Sequence, residues 1–447
     1  MGQTEGPGGE TGPGDQPYLE EPIGGLPFVL RALRYHNYRL YFAGQSVSLI
    51  GTWMTRIATS WLVYRLTHSA LLLGTVGFAG QLPAFLLGPV AGVVVDRVDR
   101  HRLLVVTQTL AMAQSLALGV LTLSGHIALW HIIVLSVFQG LINAFDMPGR
   151  QAFVLQMVER REDLGNAIAL NSSMVNGARL IGPSLGGVII AAVGEGWCFV
   201  LDGMSYLAVI ASLLLMRLAT GGASAVKDRP HALHQLVEGW RYVSGFAPIR
   251  SILLLLALVS LVGMPYTVLM PVFATRILHG GPSTLGLLMA ATGVGALMGA
   301  LYLAGRRSVL GLGRVIPTAA ALFGVGLVAF GLSRVLWLSI LLLVVTGFGF
   351  MVQMASSNTL LQTFVEEDKR GRVMSFYAMA FMGTAPFGSL LAGVAASRIG
   401  APLTLVLGGL GCVLAATAFA WRLPALRQAL RPVYVRIGIL PQPPDEA

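Results

Sequence analysis

Long apolar stretches separated by short polar intervals occupy most of the chain from about residue 40 onward. A helix needs about 20 mostly apolar residues to cross the hydrocarbon layer of a bilayer, which is roughly 30 Å thick. Twelve stretches have about this length, in two sets of six: 40–64, 71–95, 103–123, 128–147, 168–192 and 199–216, then 252–275, 284–305, 314–332, 335–361, 373–396 and 401–421. The pattern predicts an all-α membrane protein with twelve transmembrane helices, which we number as spans 1 to 12.

Polar intervals divide the chain into domains. Residues 1–30 are rich in Gly, Pro and Glu and lack the features of a cleaved signal peptide, so they predict a disordered cytoplasmic tail. The interval 217–251 contains an amphipathic stretch from His231 to Tyr242, which predicts a surface helix that links the two sets. The expected domains are the tail at 1–30, a six-helix half at 31–216, a cytoplasmic linker at 217–251, a second half at 252–423 and a tail at 424–447.

Composition and charge placement support a membrane protein. Hydrophobic residues make up 55% of the chain, charged residues only 11%, and the mean hydropathy is +0.73, unlike a water-soluble domain. The net charge of +10 would suggest a nucleic-acid partner in a soluble protein, but 24 of the 30 Lys and Arg residues lie at the termini or in intervals on the same side of the predicted membrane. Because cytoplasmic loops carry such an excess, we expect a multi-pass protein of the cell inner (cytoplasmic) membrane, with both termini cytoplasmic and no nucleic-acid partner.

A weak internal repeat relates the two sets of spans. Ala167 to Gly187 and Arg370 to Leu390 align without gaps at an offset of 203 residues, which places Pro183 on Pro386. Both segments occupy the fifth position of their set, as duplicated transporter halves require. The repeat predicts two pseudo-symmetric six-helix halves.

The interval between spans 2 and 3 carries a motif, GVVVDRVDRHR. It resembles the loop motif of the major facilitator superfamily, Gly-x-x-x-Asp-Arg-x-Gly-Arg-Arg or Lys, and matches it at Gly92, Asp96, Arg97 and Arg100. Asp99 stands where glycine is usual, and His101 stands where a basic residue is usual. An ordinary basic loop is the alternative interpretation.

The resemblance implies that this loop is a gate. In the superfamily, the Asp locks the two halves together on the cytoplasmic side by docking near the start of span 11, and the basic residue four positions later reaches an acid on span 4. For this chain, that implies docking of Asp96 near Arg372 and a pair between Arg100 and Asp146. An ion pair between Asp146 and Arg150, which lie four residues apart on one helix, is the alternative.

A second motif lies on span 5, at Gly182, Pro183, Gly186 and Gly187. It resembles the Gly-Pro-x-x-Gly-Gly signature of the exporter and proton antiporter branches, although Ala178 stands where a further glycine is usual. Three other stretches resemble the branch that holds the enterobactin exporter and macrolide efflux proteins: GTWMTRIATSWLVYRLTHSA, NAFDMPGRQAF and RGRVMSFYAMAFMG. A kink that only serves packing is the alternative reading of the motif.

Charged and polar residues inside the predicted spans are candidates for a substrate or proton site. Each embedded charge costs about 2.5–3.5 kcal/mol on insertion scales, so each needs a partner or a water-filled cavity. Arg56 and Asp202 lie on the same side of the membrane by helix direction and could pair, whereas Arg179 has no acid nearby and could bind an anionic substrate or a carbonyl. The full candidate set is Arg56, Gln139, Asn143, Arg179, Asp202, Tyr266, Gln353 and Asn358.

These features together predict a carrier. The sequence has no Walker A or HExxH motif and no GxSxG between a strand and a helix, so we expect no catalytic residue, no metal, no cofactor and no nucleotide-driven pump. We expect a monomer, surrounded by membrane lipids, that exports a small drug-like or siderophore-like organic molecule by alternating access, with the proton gradient as energy source. A facilitated-diffusion or uptake carrier, a channel and a non-transporting membrane receptor are the alternatives.

Overall fold

The computed structural model describes residues 28–158, 160–217, 232–306 and 308–436, and all regular secondary structure in these ranges is helical. A 3-10 helix, Phe28–Arg34, precedes the first half, which consists of α1 (His36–Thr67), α2 (Ala70–Arg97), α3 (Arg100–Leu123), α4 (Leu129–Met157), α5 (Arg161–Val193) and α6 (Glu195–Leu214). These six helices are spans 1 to 6. The linker contains α7 (Ala232–Gly245).

The second half contains two interrupted spans. Span 7 consists of α8 (Ala247–Leu258) and α9 (Tyr266–Val272), joined and followed by π-helical turns at Val259–Gly263 and Phe273–Ile277. Span 11 consists of α13 (Glu367–Ala378) and α14 (Ala385–Ile399), with a π-helical turn at Met379–Gly383 between them. The remaining spans are α10 (Pro282–Ala304), α11 (Leu312–Leu332), α12 (Leu336–Phe364) and α15 (Ala401–Arg436).

The number of helices confirms the predicted fold class. Within the described ranges, eleven helices are long and apolar enough to cross a membrane. The twelfth predicted span is α1, which has 32 residues and therefore sufficient length. Its polar and charged residues lower its hydropathy: Gln45 and Ser48 are buried where α1 packs inside the first half, whereas Arg39 and Arg56 are exposed.

Helices extend into both of the predicted tails. At the C-terminal side, α15 continues to Arg436, because Leu426 and Leu430 are buried against the core of the second half. Its 36 residues correspond to about 54 Å of helix, well beyond one bilayer crossing. Residues 1–27 and 437–447 of the predicted tails and 218–231 of the linker lie outside the described residues.

Asp163, in the first turn of α5, fixes the segment that precedes α1. Its carboxylate lies 3.0 Å from Arg31 Nε, contacts Arg34, and accepts a hydrogen bond of 2.6 Å from the Tyr35 hydroxyl. Burial of the Tyr35 phenol, followed by its bond to Asp163, raises the pKa of Tyr35. This network joins the start of span 1 to the start of span 5.

Two helix pairs make the most extensive contacts between the halves: α5 packs against α10, and α2 packs against α14. We call the end of the bundle that carries Asp96 and the start of α1 the basic end, and the opposite end the far end. At the far end, Arg276 Nη2 of the second half donates a hydrogen bond of 3.2 Å to the His68 carbonyl of the first half. The α2 contacts reach Phe85, whose ring centroid lies 5.6 Å from that of Phe387.

The basic end is open. A methyl group added at Gly88 or Gly92 of α2, at Gly165 of α5 or at Gly371 of α13 would meet no atom within 4 Å. The halves are therefore packed together at the far end and spread apart at the basic end. The space between them forms a cavity that opens at the basic end.

Candidate gate and substrate cavity

The span 5 motif lies at the junction of α5 with two helices. A methyl group on Gly182 would lie 2.5 Å from Trp53 Cβ, and one on Gly186 would lie 2.6 Å from Ile57 Cγ2, so these two glycines allow α1 to approach. Gly187 faces α10 of the other half instead. The Pro183 carbonyl also contacts α10, since it lies 2.9 Å from a methyl group placed on Gly286. The motif thus shapes both the first half and the seal between the halves.

The loop motif ends α2 and begins α3. Helix α2 ends at Arg97, and Asp99 caps α3 by accepting a hydrogen bond of 3.1 Å from the Arg102 backbone N–H. The Asp96 side chain is 40% exposed, and its Oδ1 lies 3.5 Å from Arg100 Nη2. Gly92, one helical turn earlier, lies in open space. The motif therefore lies at the open end of the cavity.

Asp146 is held inside the first half rather than by the loop. Its Oδ1 accepts hydrogen bonds from Thr107 Oγ1 at 3.0 Å and Gln108 Nε2 at 2.7 Å, and its Oδ2 lies 2.7 Å from Arg150 Nη2. The expected pair between Arg100 and Asp146 is thus not formed in this conformation. The intrahelical pair takes its place, because Asp146 and Arg150 lie one turn apart on α4.

The start of span 11 is engaged by the linker helix. Arg372 Nη1 of α13 lies 2.9 Å from Glu238 Oε2 of α7. Beside this pair, the rings of Trp240 and Phe376 lie 6.1 Å apart. Arg372, which the resemblance placed near Asp96, is therefore paired with Glu238 of the linker helix.

Two embedded arginines converge on one tryptophan. The guanidinium carbon of Arg56 lies 4.7 Å from the centre of the Trp53 ring, and that of Arg179 lies 5.6 Å from it. The Arg56 side chain is exposed and the Arg179 side chain is partly exposed, and both α1 and α5 border the space between the halves. Within the described ranges, neither guanidinium has a carboxylate within 4.0 Å.

Asp202 is separated from these arginines. It is 2% exposed, and its Oδ2 accepts hydrogen bonds of 2.9 Å from both Thr55 Oγ1 and Ser115 Oγ. Its Oδ1 packs against the backbone of Gly51. The pair between Arg56 and Asp202 that the sequence allowed is not formed, because Thr55 holds the carboxylate behind α1 while Arg56 extends toward the cavity.

The other candidates fall into two groups. Gln139 Nε2 donates to Asn143 Oδ1 at 3.1 Å on α4, and Asn358 Oδ1 accepts from Gln362 Nε2 at 2.7 Å on α12, and all of these side chains are at least partly exposed. Two are enclosed in the second half: Tyr266 is 2% exposed, and Gln353 is 0% exposed. Only the first group is accessible in this conformation.

Two contacts of the site were not predicted from the sequence. Trp53 organises the arginine pair, and its spacing of three residues from Arg56 is the signal that could have placed both on one helix face. Glu238 engages Arg372, but it is the single acid of the helix Ala232–Gly245, and no pattern in the linker pointed to this pair. Contacts between distant segments such as these have no local signature.

Solved structures share the fold. The chain superposes on a bacterial homolog of the human lysosomal transporter Spinster, in an inward-facing and unoccupied conformation, with a TM-score of 0.66, 15% identity, and coverage of 91% of this chain and 99% of that one. A POT family transporter in complex with 5-aminolevulinic acid gives a TM-score of 0.70, 11% identity, and coverage of 87% and 96%. These similarities establish the major facilitator fold.

Curated relatives are full-length transporters. The staphyloferrin A transporter of Staphylococcus aureus is 26% identical over 84% of this chain and 93% of its own length. The multidrug efflux pump Tap of Mycolicibacterium fortuitum is 28% identical, with 85% and 93% covered, and macrolide efflux protein A of Streptococcus pyogenes is 23% identical, with 84% and 94% covered. The family model of transmembrane secretion effectors matches residues 29–434. The chain therefore belongs to this family of efflux transporters in the major facilitator superfamily, and it is a multi-pass protein of the cell membrane.

Proposed function

We propose that the protein is a secondary active exporter of small organic molecules that works by alternating access. The observation that carries this proposal is the asymmetry between the two ends, since the halves are packed at the far end and separated at the basic end. Alternating access requires two states of the protein, and a protein whose cavity opens to only one side of the membrane is in one of them. Relatives named for multidrug efflux and for macrolide efflux support export, and the staphyloferrin A transporter supports a small organic molecule as substrate.

The proposed orientation follows from the charges. Lys and Arg residues cluster at the basic end, and cytoplasmic loops carry such an excess. In this orientation both termini are cytoplasmic, and the cavity faces the cytoplasm, where an exporter collects its substrate. We further propose that the protein acts as a monomer, with membrane lipids and a small-molecule substrate as its partners and without a cofactor or nucleic acid.

Proton coupling would require a carboxylate that gains and loses a proton during the cycle, and we propose Asp202 for this role. Its partners are the hydroxyl groups of Thr55 and Ser115, which can donate to a carboxylate and can also accept from a carboxylic acid. Asp146 is instead committed to an ion pair with Arg150, whose Nη2 lies 2.7 Å from its Oδ2. The geometry of Asp202 is therefore compatible with both protonation states.

Growth of an expressing strain against a panel of toxic compounds tests export directly. We expect the intact protein to raise the tolerated concentration of at least one compound relative to an empty vector. The compound found this way is then used in everted membrane vesicles, where export appears as accumulation. Collapse of the pH gradient and the membrane potential should abolish accumulation against a gradient.

Facilitated diffusion is the second candidate, and the enclosure of both embedded carboxylates favours it. The same vesicle experiment separates the two functions. A flux that is unchanged after the gradients have collapsed would show a passive carrier and would contradict proton coupling. A flux that never saturates with substrate would indicate a channel and would contradict alternating access.

A further inference from the structure

We propose that Arg56 and Arg179, organised by Trp53, form a binding site for the carboxylate group of an organic anion, which makes carboxylate-bearing organic molecules the substrate class of this carrier. The inference rests on the proposed export function. It goes further by assigning a ligand chemistry and the residues that recognise it.

The geometry brings two cations to one place. Their guanidinium carbons lie 4.7 and 5.6 Å from the centre of the same indole ring. Trp53 and Arg56 lie three residues apart on α1, and Arg179 comes from α5. Gly182 makes this convergence possible, because any side chain there would collide with Trp53. The exporter motif and the arginine pair are thus one structural unit.

Among the described residues, acids do not balance the charge of the two arginines in the cavity. Asp146 is compensated by Arg150, and Asp202 is enclosed by Thr55 and Ser115. In the second half, residues 252–423 contain only three acids, all of them between spans 10 and 11 at the basic end: Glu366, Glu367 and Asp368. Anything that binds between Arg56 and Arg179 therefore experiences a positive site.

Within the described residues, Arg56 and Arg179 have no paired carboxylate, and such guanidinium groups inside a membrane protein are costly. The contacts with Trp53 offset only part of this cost, because the two like charges repel each other at close range. Water in the open cavity stabilises them while it has access. An anionic ligand would stabilise them when the cavity closes around it, which gives the site a function during transport.

The shape of the site favours a carboxylate on an organic body. A guanidinium group presents a planar fork of N–H donors that matches the two oxygens of a carboxylate. The Trp53 ring offers an apolar surface beside the charges, and Gln139 and Asn143 of α4 are partly exposed amides that could bind further polar groups of the ligand. Phosphate esters share the oxyanion chemistry, so the test includes one.

Binding of four probes to the purified full-length protein tests the proposal. The probes share a naphthalene ring and differ in charge: 1-naphthylacetate, 1-naphthyl phosphate, 1-naphthylacetamide and 1-naphthylmethylammonium. We expect 1-naphthylacetate to bind about tenfold or more tightly than the amide, and the cation to bind least, because charged hydrogen bonds to guanidinium groups are lost. This comparison of the four probes requires only the unmodified protein.

Variants locate the site. Arg56→Ala and Arg179→Ala should each weaken 1-naphthylacetate binding about tenfold and leave binding of the amide unchanged, while Arg56→Lys and Arg179→Lys should keep part of the affinity. Arg398→Ala is the matched control, because it removes an exposed cation at the far end. Thermal denaturation of every variant shows whether the fold is retained.

Three results would overturn the proposal: equal affinity for the acetate and the amide, binding of the phosphate alone, or failure of 1-naphthylacetate to bind at millimolar concentration. Unchanged affinity together with lower thermal stability in the Arg179 variants would assign that arginine a structural role and would also overturn it. Export of neutral compounds in the growth panel would leave the exporter function standing in each case. The failures of the two proposals are therefore distinguishable.

Discussion

A methyl group on Gly187 of α5 would lie 2.8 Å from the Cα atom of Gly286 of α10, so the two halves meet backbone against backbone at the far end. The other inter-half junction has the same construction, since a methyl group on Gly74 of α2 would lie 2.9 Å from the Cα atom of Gly393 on α14. Junctions of small residues allow close van der Waals contact without interlocking side chains. Such a seal can open and close without repacking either half.

Enlarging the seal should therefore shift the conformational balance. We expect Gly187→Ala to disfavour the state that is closed at the far end by about 1–3 kcal/mol, the usual cost of overpacking, or about 5- to 150-fold in population. Efflux should fall, because the variant returns less often to the state in which the cavity is open at the basic end. Reaction of a cysteine introduced at Ser389, which is buried against α2 in this conformation, with a membrane-impermeant thiol reagent measures far-end opening.

Gly165→Ala is the matched control on the same helix, since its added methyl group meets nothing within 4 Å. It should leave efflux and labelling unchanged. Equal effects of the two substitutions would contradict a specific role for the Gly187 contact.

The loop motif should control the opposite end. We expect Asp96→Asn to reduce efflux several-fold with little change in membrane insertion, because a carboxylate that docks at a helix N-terminus contributes about 0.3–1 kcal/mol to closure of the basic end. Asp99→Asn is the charge-matched control, because asparagine caps a helix as well as aspartate does. Normal efflux by well-expressed Asp96→Asn protein would contradict the gate assignment.

The sequence predicts the architecture well because span length, hydropathy and charge placement are properties of single segments. Twelve spans follow from them, although α15 runs past its predicted end because Leu426 and Leu430 pack on the second half. Partners between segments are harder to predict. Asp146 could pair with Arg150 on its own helix or with Arg100 of the loop motif, and the sequence spacing alone does not decide between these two partners. From the sequence, Asp202 could face either a cavity or Thr55, because the rotation of α6 about its axis is set by its packing and not by its composition.

The linker helix should bias the same equilibrium. We expect Glu238→Gln to release Arg372 for docking with Asp96 and to lower the population open at the basic end. Both side chains of the pair are about a third or more exposed, so the shift should be at most about 1 kcal/mol, or about fivefold. Glu367→Gln, which removes an exposed acid of the same region, should have no effect. Accessibility of a cysteine at Gly92 is the measurement, and an unchanged labelling rate would contradict the linker's role.

Asp202 should carry the proton dependence. Asp202→Asn keeps an oxygen that accepts from Thr55 and Ser115, so we expect a stable protein whose flux no longer responds to a pH gradient. Asp146→Asn should instead lower the melting temperature, because Arg150 loses its paired carboxylate. Vesicle flux with and without an imposed gradient measures the first effect. Retained gradient dependence in the Asp202→Asn protein would transfer the coupling role to another group.

Alternating access is the central claim, and distances between spin labels test it without a known substrate. One pair, at Leu71 and Arg398, reports on α2 and α14 at the far end, and a second pair, at Val93 and Gly371, reports on α2 and α13 at the basic end. The native thiols of Cys198 and Cys412 are buried and should not compete for label.

We predict two distances for each pair, one for each state of the protein. Conditions or variants that favour the short distance at the basic end should favour the long distance at the far end. Asp96→Asn should keep the basic end open. A single distance at both ends that does not respond to pH or to the Asp96 substitution would contradict the account.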